Sequence, residues 1–317
     1  MHVLIADPFQ AAGLAGLAEL GCRVSHEPGV KGPALVEAVG RLSPDVLVVR
    51  STKAPTEVLE AAPLKLVIRA GSGYDNIDIA AARRLGIPVA NCPRMNSIAV
   101  AELAFAFIAA MDRRLPENLD ALRAGQWRKG EFAKAAGLYG RTLGVVGVGS
   151  IGGELVARAR AFGMHVVGWS RSLTPMKAAD LGLLRLDSPE EVAAASDVVS
   201  LHMVLADDTR GRIGKPFFDA LRPGALLVNT ARAELLDIAA LKDAIETKGV
   251  RLAMDVWPDE PPGTEGDFHS DLIGLPGVYG TAHIGASTEQ AQDAVAAETV
   301  RIVRELMAER PIPNLVR

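Results

Sequence analysis

The stretch Leu143-Gly144-Val145-Val146-Gly147-Val148-Gly149-Ser150-Ile151-Gly152 decides the fold. It is a short apolar run, then G-x-G-x-x-G, then the start of a pattern in which Ile151, Leu155, Ala159 and Phe162 recur at helical spacing. A second strand-like run follows at residues 164–169. Strand, glycine turn, helix and strand in that order form the context that a dinucleotide site requires. The first glycine makes the tight turn, the second lets backbone approach a pyrophosphate, and the third lets the helix pack on its strand. The helix N-terminus then presents N–H groups and a positive dipole end to the phosphates. Gly147, Gly149, Ser150, Ile151 and Gly152 are therefore the first cofactor-binding candidates. A bare glycine motif means little in a chain with 31 glycines; the context carries it.

Working outward, strand-like runs alternate with helical patterns, which argues for parallel α/β architecture. Before the motif the runs are residues 2–7, 45–51, 65–70 and 87–91, with helix candidates at 33–42 and 76–85 and a long one at 97–114. After it come runs at 197–203, 225–230, 251–256 and 277–282, then a final helix over 288–307 that Pro311-Ile312-Pro313 ends. About 95 residues of another α/β unit thus precede the motif. The final helix lies beyond the last cofactor-domain strand and can return to that first unit. The expectation is a discontinuous substrate domain, residues 1–95 plus 287–317, around an inserted dinucleotide-binding domain, residues 96–286.

Composition narrows the function. A chain of 317 residues suggests two domains with filled cores. A net charge of −4 without a basic block argues against nucleic acid. Two cysteines, Cys22 and Cys92, form no disulfide framework, so the cytoplasm is the expected compartment. The strand-like run at the N-terminus leaves no room for a signal peptide, and the apolar run 98–111 is interrupted by Glu102 and too short for a bilayer. Aromatic residues are 4% of the chain, so the cores must be built from Ala, Val, Leu and Ile. No metal is expected.

In an open parallel sheet, ligands bind outside the carboxyl ends of the strands. Arg232 follows the run 225–230, Asp255 and then Glu260 follow 251–256, and His283 follows 277–282. A cation, carboxylates and an imidazole therefore fall on the edge that carries the glycine loop. Moving hydride between nicotinamide and an oxygen-bearing carbon requires moving a proton on that oxygen, and His titrates nearest neutral pH. A neighbouring carboxylate favours the protonated imidazole and fixes its tautomer. An Arg can hold a substrate carboxylate bidentately. His283 is the candidate acid/base, Glu260 its partner and Arg232 the substrate anchor.

Four segments, 147–152, 228–232, 255–261 and 283–288, together resemble the D-isomer-specific 2-hydroxyacid dehydrogenases, and the resemblance runs nearly end to end. Within that family, Val49-Arg50-Ser51-Thr52-Lys53, Arg69-Ala70-Gly71-Ser72-Gly73-Tyr74-Asp75-Asn76 and Asn91-Cys92-Pro93-Arg94-Met95-Asn96-Ser97 resemble short D-3-phosphoglycerate dehydrogenases. The resemblance implies two doubly wound parallel-sheet domains, one flavodoxin-like and one Rossmann-like, with the active site in the cleft, and a homodimer. It maps the catalytic Arg, Glu and His onto Arg232, Glu260 and His283, and the nicotinamide-amide acid onto Asp255. It maps the substrate-carboxylate loop onto Gly71, Ser72 and Gly73, with Asn96 beside it, and phosphate-binding positions onto Arg50, Lys53 and Arg69. It adds His202, Thr209, Thr230, Ala231 and Gly285 to the cofactor set. The implied substrate is a D-2-hydroxy acid, D-3-phosphoglycerate with 3-phosphohydroxypyruvate as its oxidised partner, in serine biosynthesis. Glyoxylate or hydroxypyruvate reduction is the second reading, and a dinucleotide-sensing binding protein is a reading of another class. The chain stops after its last helix, so no C-terminal regulatory domain is expected.

Departures from the family pattern lie at Ala233, where Gly is usual, at Ala282, where Pro is usual before the His, and at Val204, where His-x-Pro is usual. A further one concerns the ribose. An NAD site usually carries an acid about 20 residues past the glycines. Here the strand ends Trp169-Ser170-Arg171-Ser172. Ser170 and Arg171 could bind a 2′-phosphate by charge-assisted bonds, a leaning towards NADP; Arg171 could instead stack over adenine in an NAD enzyme.

Overall fold

The computed structural model describes residues 1–258, 260–261 and 265–316. Packing divides the chain into two compact units, the first Met1–Asn96, Pro261–Asp267 and Ala286–Arg317, the second Ser97–Glu260 and Phe268–Gly285.

The first unit is a five-stranded sheet of β1 (His2–Ile5), β2 (Arg23–His26), β3 (Val46–Val49), β4 (Leu66–Arg69) and β5 (Val89–Asn91), in the order β2-β1-β3-β4-β5. Every strand pair in it is parallel. This is the flavodoxin-like order. The central strand Val46-Leu47-Val48-Val49 is wholly buried because helices cover both faces, which is why it reads as a continuous apolar run. Each such side chain contributes about 1.5–3 kcal/mol by leaving water. Edge strand β2, Arg-Val-Ser-His, is only partly buried and carries no such run. The helix expected over 76–85 occupies Ile79–Arg84, because Asp78 caps it by accepting from the Ala81 N–H at 2.9 Å.

The last helix, Glu289–Met307, belongs to this unit and starts on the Thr288 cap. It ends before the Pro311-Ile312-Pro313 segment, so the prolines are not its terminator; the chain turns at Glu309, whose φ is +53°. The helix lies on Ala11–Glu19, and a Cβ at Gly13 would come within 2.8 Å of the Ala296 Cβ, so glycine is what permits the close approach. The tail then pairs antiparallel with edge strand β5 through Ala90 and Leu315.

The second unit is a seven-stranded sheet of β6 (Thr142–Val146), β7 (His165–Trp169), β8 (Leu184–Arg185), β9 (Val198–Leu201), β10 (Leu226–Asn229), β11 (Arg251–Met254) and β12 (Val278–Gly280). The order is β12-β11-β10-β9-β6-β7-β8, again all parallel. Six of these strands follow the Rossmann order, with the direction of winding reversing between β6 and β9. Helix Ser97–Arg113 packs its buried residues, among them Ala104, Ile108 and Met111, against Val145, Val228 and Ala253 of this sheet. Phe162 departs from its expected place in the helical core stripe. The helix ends at Ala161, and Phe162 is an exposed cap residue whose ring lies 4.5 Å from that of Phe105.

Candidate functional site

Because the second sheet is all parallel, the carboxyl ends of β6, β7, β9, β10, β11 and β12 share one edge. The glycine loop leaves β6 there. Gly147 has φ +102°, and a Cβ on it would lie 2.5 Å from the His202 carbonyl carbon, so only glycine fits. A Cβ at Gly152 would lie 2.4 Å from the Gly147 oxygen, which fixes the helix close to the loop. A Cβ at Gly149 would meet nothing within 4 Å. That open space stands before helix Ser150–Ala161, whose first turn has no side-chain cap. Unpaired N–H groups at a helix start with room before them suit an anion such as a pyrophosphate. Ser150 is exposed at the helix start, and Ile151 is half-buried beside it.

Three buried polar atoms along the same edge have no hydrogen-bond partner among the described residues: Ser170 Oγ after β7, His202 Nδ1 after β9 and Thr230 Oγ1 after β10. Buried polar groups without partners are uncommon in folded proteins, and a polar ligand would satisfy them. Burial pushes the His202 imidazole down to about 4, so it is neutral, and its Nε2 lies 2.9 Å from Ser200 Oγ. The residues present therefore fit a dinucleotide. Thr209 is different: its hydroxyl accepts from the Ala206 N–H and donates to the Val204 carbonyl, both at 2.7 Å, so its polar group is engaged in its own turn. Arg171 is exposed and its Nη1 lies 2.5 Å from Asp208 Oδ2, an acid in an exposed loop that belongs to no motif.

The reacting groups stand on the connections that follow β10, β11 and β12. After β10, Asn229 folds the chain: its Oδ1 accepts from the Ala231 N–H at 3.0 Å and its amide donates to the Arg232 carbonyl at 2.8 Å. Arg232 Nη1 donates to the Ala231 carbonyl at 2.7 Å. Ala233, where the family has Gly, opens a 3₁₀ turn, Ala233–Leu235, without a positive φ, so the methyl group is accommodated.

After β12, residues 281–285 wrap around Asp255. Asp255 is 2% exposed. Oδ1 accepts from Thr281 Oγ1 at 2.6 Å and the Ile284 N–H at 2.8 Å, and Oδ2 accepts from the Gly285 N–H at 2.8 Å. The Asp255 carbonyl accepts from the His283 N–H at 2.8 Å. His283 is thereby held at φ +52°, in the left-handed region that a non-glycine residue adopts only when its surroundings impose it. Trp257 braces the same loop by donating from Nε1 to the Thr281 carbonyl at 2.9 Å. Asp255, Thr281 and Trp257 thus form a support whose pattern has no linear signal.

Held this way, His283 Nδ1 lies 2.7 Å from Glu260 Oε2. Glu260 Oε1 accepts from the Trp257 N–H at 2.8 Å. Burial would raise the Glu260 carboxyl, but the bond and charge of His283, the Trp257 N–H and the charge of Arg232 together hold it below the usual carboxylate range. Asp259, inside the same motif, lies outside the described residues.

In the first unit the substrate candidates cluster at the carboxyl ends of β3 and β4. Asp7, buried at the end of β1, was not singled out from the sequence. It accepts from the Arg50 N–H at 2.6 Å and from Thr52 Oγ1 at 3.0 Å, fixing the 50–53 turn. Arg50 Nη2 donates to Ser287 Oγ at 3.3 Å, while Lys53 is exposed. After β4, Gly71 has φ +151° and the Arg69 guanidinium fills the place a Cβ would take. The loop is tied down as Ser72 Oγ donates to Asn96 Oδ1 at 2.6 Å and Asn91 donates to the Ser72 carbonyl at 2.6 Å. Gly73 continues the loop, half-buried.

Comparison with known proteins adds a second line of support. Residues 105–285 match the family described as D-isomer specific 2-hydroxyacid dehydrogenase, NAD binding domain. A D-3-phosphoglycerate dehydrogenase of Methanocaldococcus jannaschii is 38% identical over 99% of this chain, which spans 60% of that relative's length. A hydroxypyruvate reductase of Thermotoga maritima is 38% identical over 83% of this chain and 85% of its own. An NAD+-bound 3-phosphoglycerate dehydrogenase from Entamoeba histolytica superposes with a TM-score of 0.84 at 25% identity, covering 100% of this chain and 98% of its own.

Proposed function

The chain belongs to the D-isomer-specific 2-hydroxyacid dehydrogenases, and on that premise we propose that it interconverts a D-2-hydroxy acid and its 2-oxo acid with a nicotinamide dinucleotide. The observation that carries this is the 2.7 Å bond between His283 Nδ1 and Glu260 Oε2, on the sheet edge that also bears the glycine loop. Bound NAD(H) or NADP(H) supplies or takes the hydride. Glu260 holds Nδ1, so the proton that His283 moves is on Nε2. In reduction it goes from Nε2 to the substrate oxygen; in oxidation it returns. Arg232, a five-donor cation, binds the substrate carboxylate and polarises the neighbouring carbonyl. The second unit takes the dinucleotide through Gly147, Gly149, the Ser150 helix start, Ser170, His202 and Thr230. An intact Arg232, Glu260 and His283 set favours an enzyme over a dinucleotide-sensing binding protein.

D-3-phosphoglycerate is the proposed substrate, because Arg50, Lys53 and Arg69 add cations in the first unit to the backbone donors of Gly71, Ser72 and Gly73. Reduction of hydroxypyruvate or glyoxylate is the second reading, favoured by the Thermotoga relative, whose length this chain covers more fully. Assays of 3-phosphohydroxypyruvate, hydroxypyruvate and glyoxylate, each with NADH and NADPH, separate them. The phosphorylated substrate should have the highest kcat/KM, and Arg50→Ala should lower it about ten- to a hundredfold while sparing glyoxylate. Equal losses for both would instead make Arg50 structural. The proposed assembly is a homodimer, for which the exposed stripe Leu115, Leu119 and Leu122 offers apolar surface.

A further inference from the structure

Next to the glycine loop the second unit holds an ion pair that the chemistry above does not use. Arg171 stands two residues beyond β7, in the segment where an NAD site normally carries its acid. Its Nη1 lies 2.5 Å from Asp208 Oδ2. The Gly147 N–H donates to the Trp169 carbonyl at 2.8 Å, so this segment and the glycine loop are tied together. Ser170 Oγ, in the same segment, is buried without a partner among the described residues. Asp208 comes from another connection, the loop after β9. The turn made by the Thr209 hydroxyl with Ala206 and Val204 builds that loop independently of the pair. Both partners are exposed, 63% and 62%, and an exposed pair contributes little to folding. Its effect falls instead on whatever charge approaches Arg171.

We infer that Asp208 determines cofactor preference: it supplies from the β9 loop the carboxylate that the end of β7 lacks and, by pairing with Arg171, favours an adenosine ribose with a 2′-hydroxyl over one with a 2′-phosphate. The inference deepens the proposed function and rests on its dinucleotide reading. A 2′-phosphate brings close to two negative charges. It must either displace the carboxylate from Arg171 or sit beside it, and at contact-scale distances between solvent-exposed groups, with nearly the dielectric of water between them, that repulsion is about tenfold in affinity. A neutral 2′-hydroxyl meets neither obstacle and can donate to the carboxylate.

The test is direct titration of the full chain with NADH and with NADPH, read by nicotinamide fluorescence, for wild type, Asp208→Asn, Arg171→Ala and the double variant. Asp208→Asn should tighten NADPH about tenfold and leave NADH unchanged or weaker, with thermal unfolding unchanged. In the double variant the gain should vanish, because the freed guanidinium is what binds the phosphate. If Asp208→Asn leaves NADPH unchanged or moves both cofactors alike, the inference is overturned while the dinucleotide reading stands. If wild type binds neither cofactor, both are overturned together.

Discussion

Asp255→Asn alters a single atom of a buried carboxylate, and its consequences can be worked from three bonds. Oδ1 accepts from Thr281 Oγ1 and the Ile284 N–H, and Oδ2 from the Gly285 N–H. An amide oxygen can keep the first two at reduced strength. The amide nitrogen then faces the Gly285 N–H, a donor against a donor in a buried place. Losing one charge-assisted bond costs about 1.5–3 kcal/mol, and leaving a buried N–H unpaired adds about 1–3 kcal/mol. We expect about 3–4 kcal/mol in total, since such terms are not additive. Urea unfolding followed by tryptophan fluorescence reports it, because Trp257 is buried on the same loop. The variant should also lose at least about tenfold in turnover, because His283 keeps its φ of +52° only while the loop is held. Unfolding within about 0.5 kcal/mol of wild type, with turnover unchanged, would refute the reasoning that Asp255 holds the loop.

Three further outcomes follow from the geometry. Glu260→Gln should lower turnover about tenfold or more while leaving dinucleotide binding intact, because the charged partner that orients His283 Nδ1 is lost; unchanged turnover removes Glu260 from the mechanism. Since the Glu260 carboxyl sits below its usual range, the stability it contributes is present above that range and is lost as pH falls through the lowered value; acid titration of unfolding in wild type against Glu260→Gln checks the sign. Gly147→Ala should lose about 3 kcal/mol or more and with it dinucleotide binding, since the added carbon would lie 2.5 Å from backbone at a φ of +102°; a variant that folds and binds normally would show that the loop is not tight there.

The fold was legible where burial leaves a linear trace. Val46-Leu47-Val48-Val49 and Leu143-Gly144-Val145-Val146 are buried on both faces and announce themselves as apolar runs. β2 does not, because an edge strand needs only Val24 to pack, and its other residues are polar. β8, two exposed residues long, carries no pattern at all. At the site, the strand-end positions of Arg232, Glu260 and His283 could be read, since a parallel sheet sends every carboxyl end to one edge. The pairing of Glu260 with His283 crosses 23 residues and depends on the Asp255 support, which only the folded loop reveals. Asp208 was equally silent: one acid in an exposed loop means nothing until Arg171 lies beside it.

The most direct test of the account compares wild type with His283→Gln on a 2-oxo acid substrate, measuring turnover by nicotinamide absorbance and, separately, cofactor affinity by titration. If His283 is the acid/base, turnover falls roughly 10²–10⁴-fold while cofactor affinity stays within about threefold. Turnover near that of wild type would contradict the account at its centre.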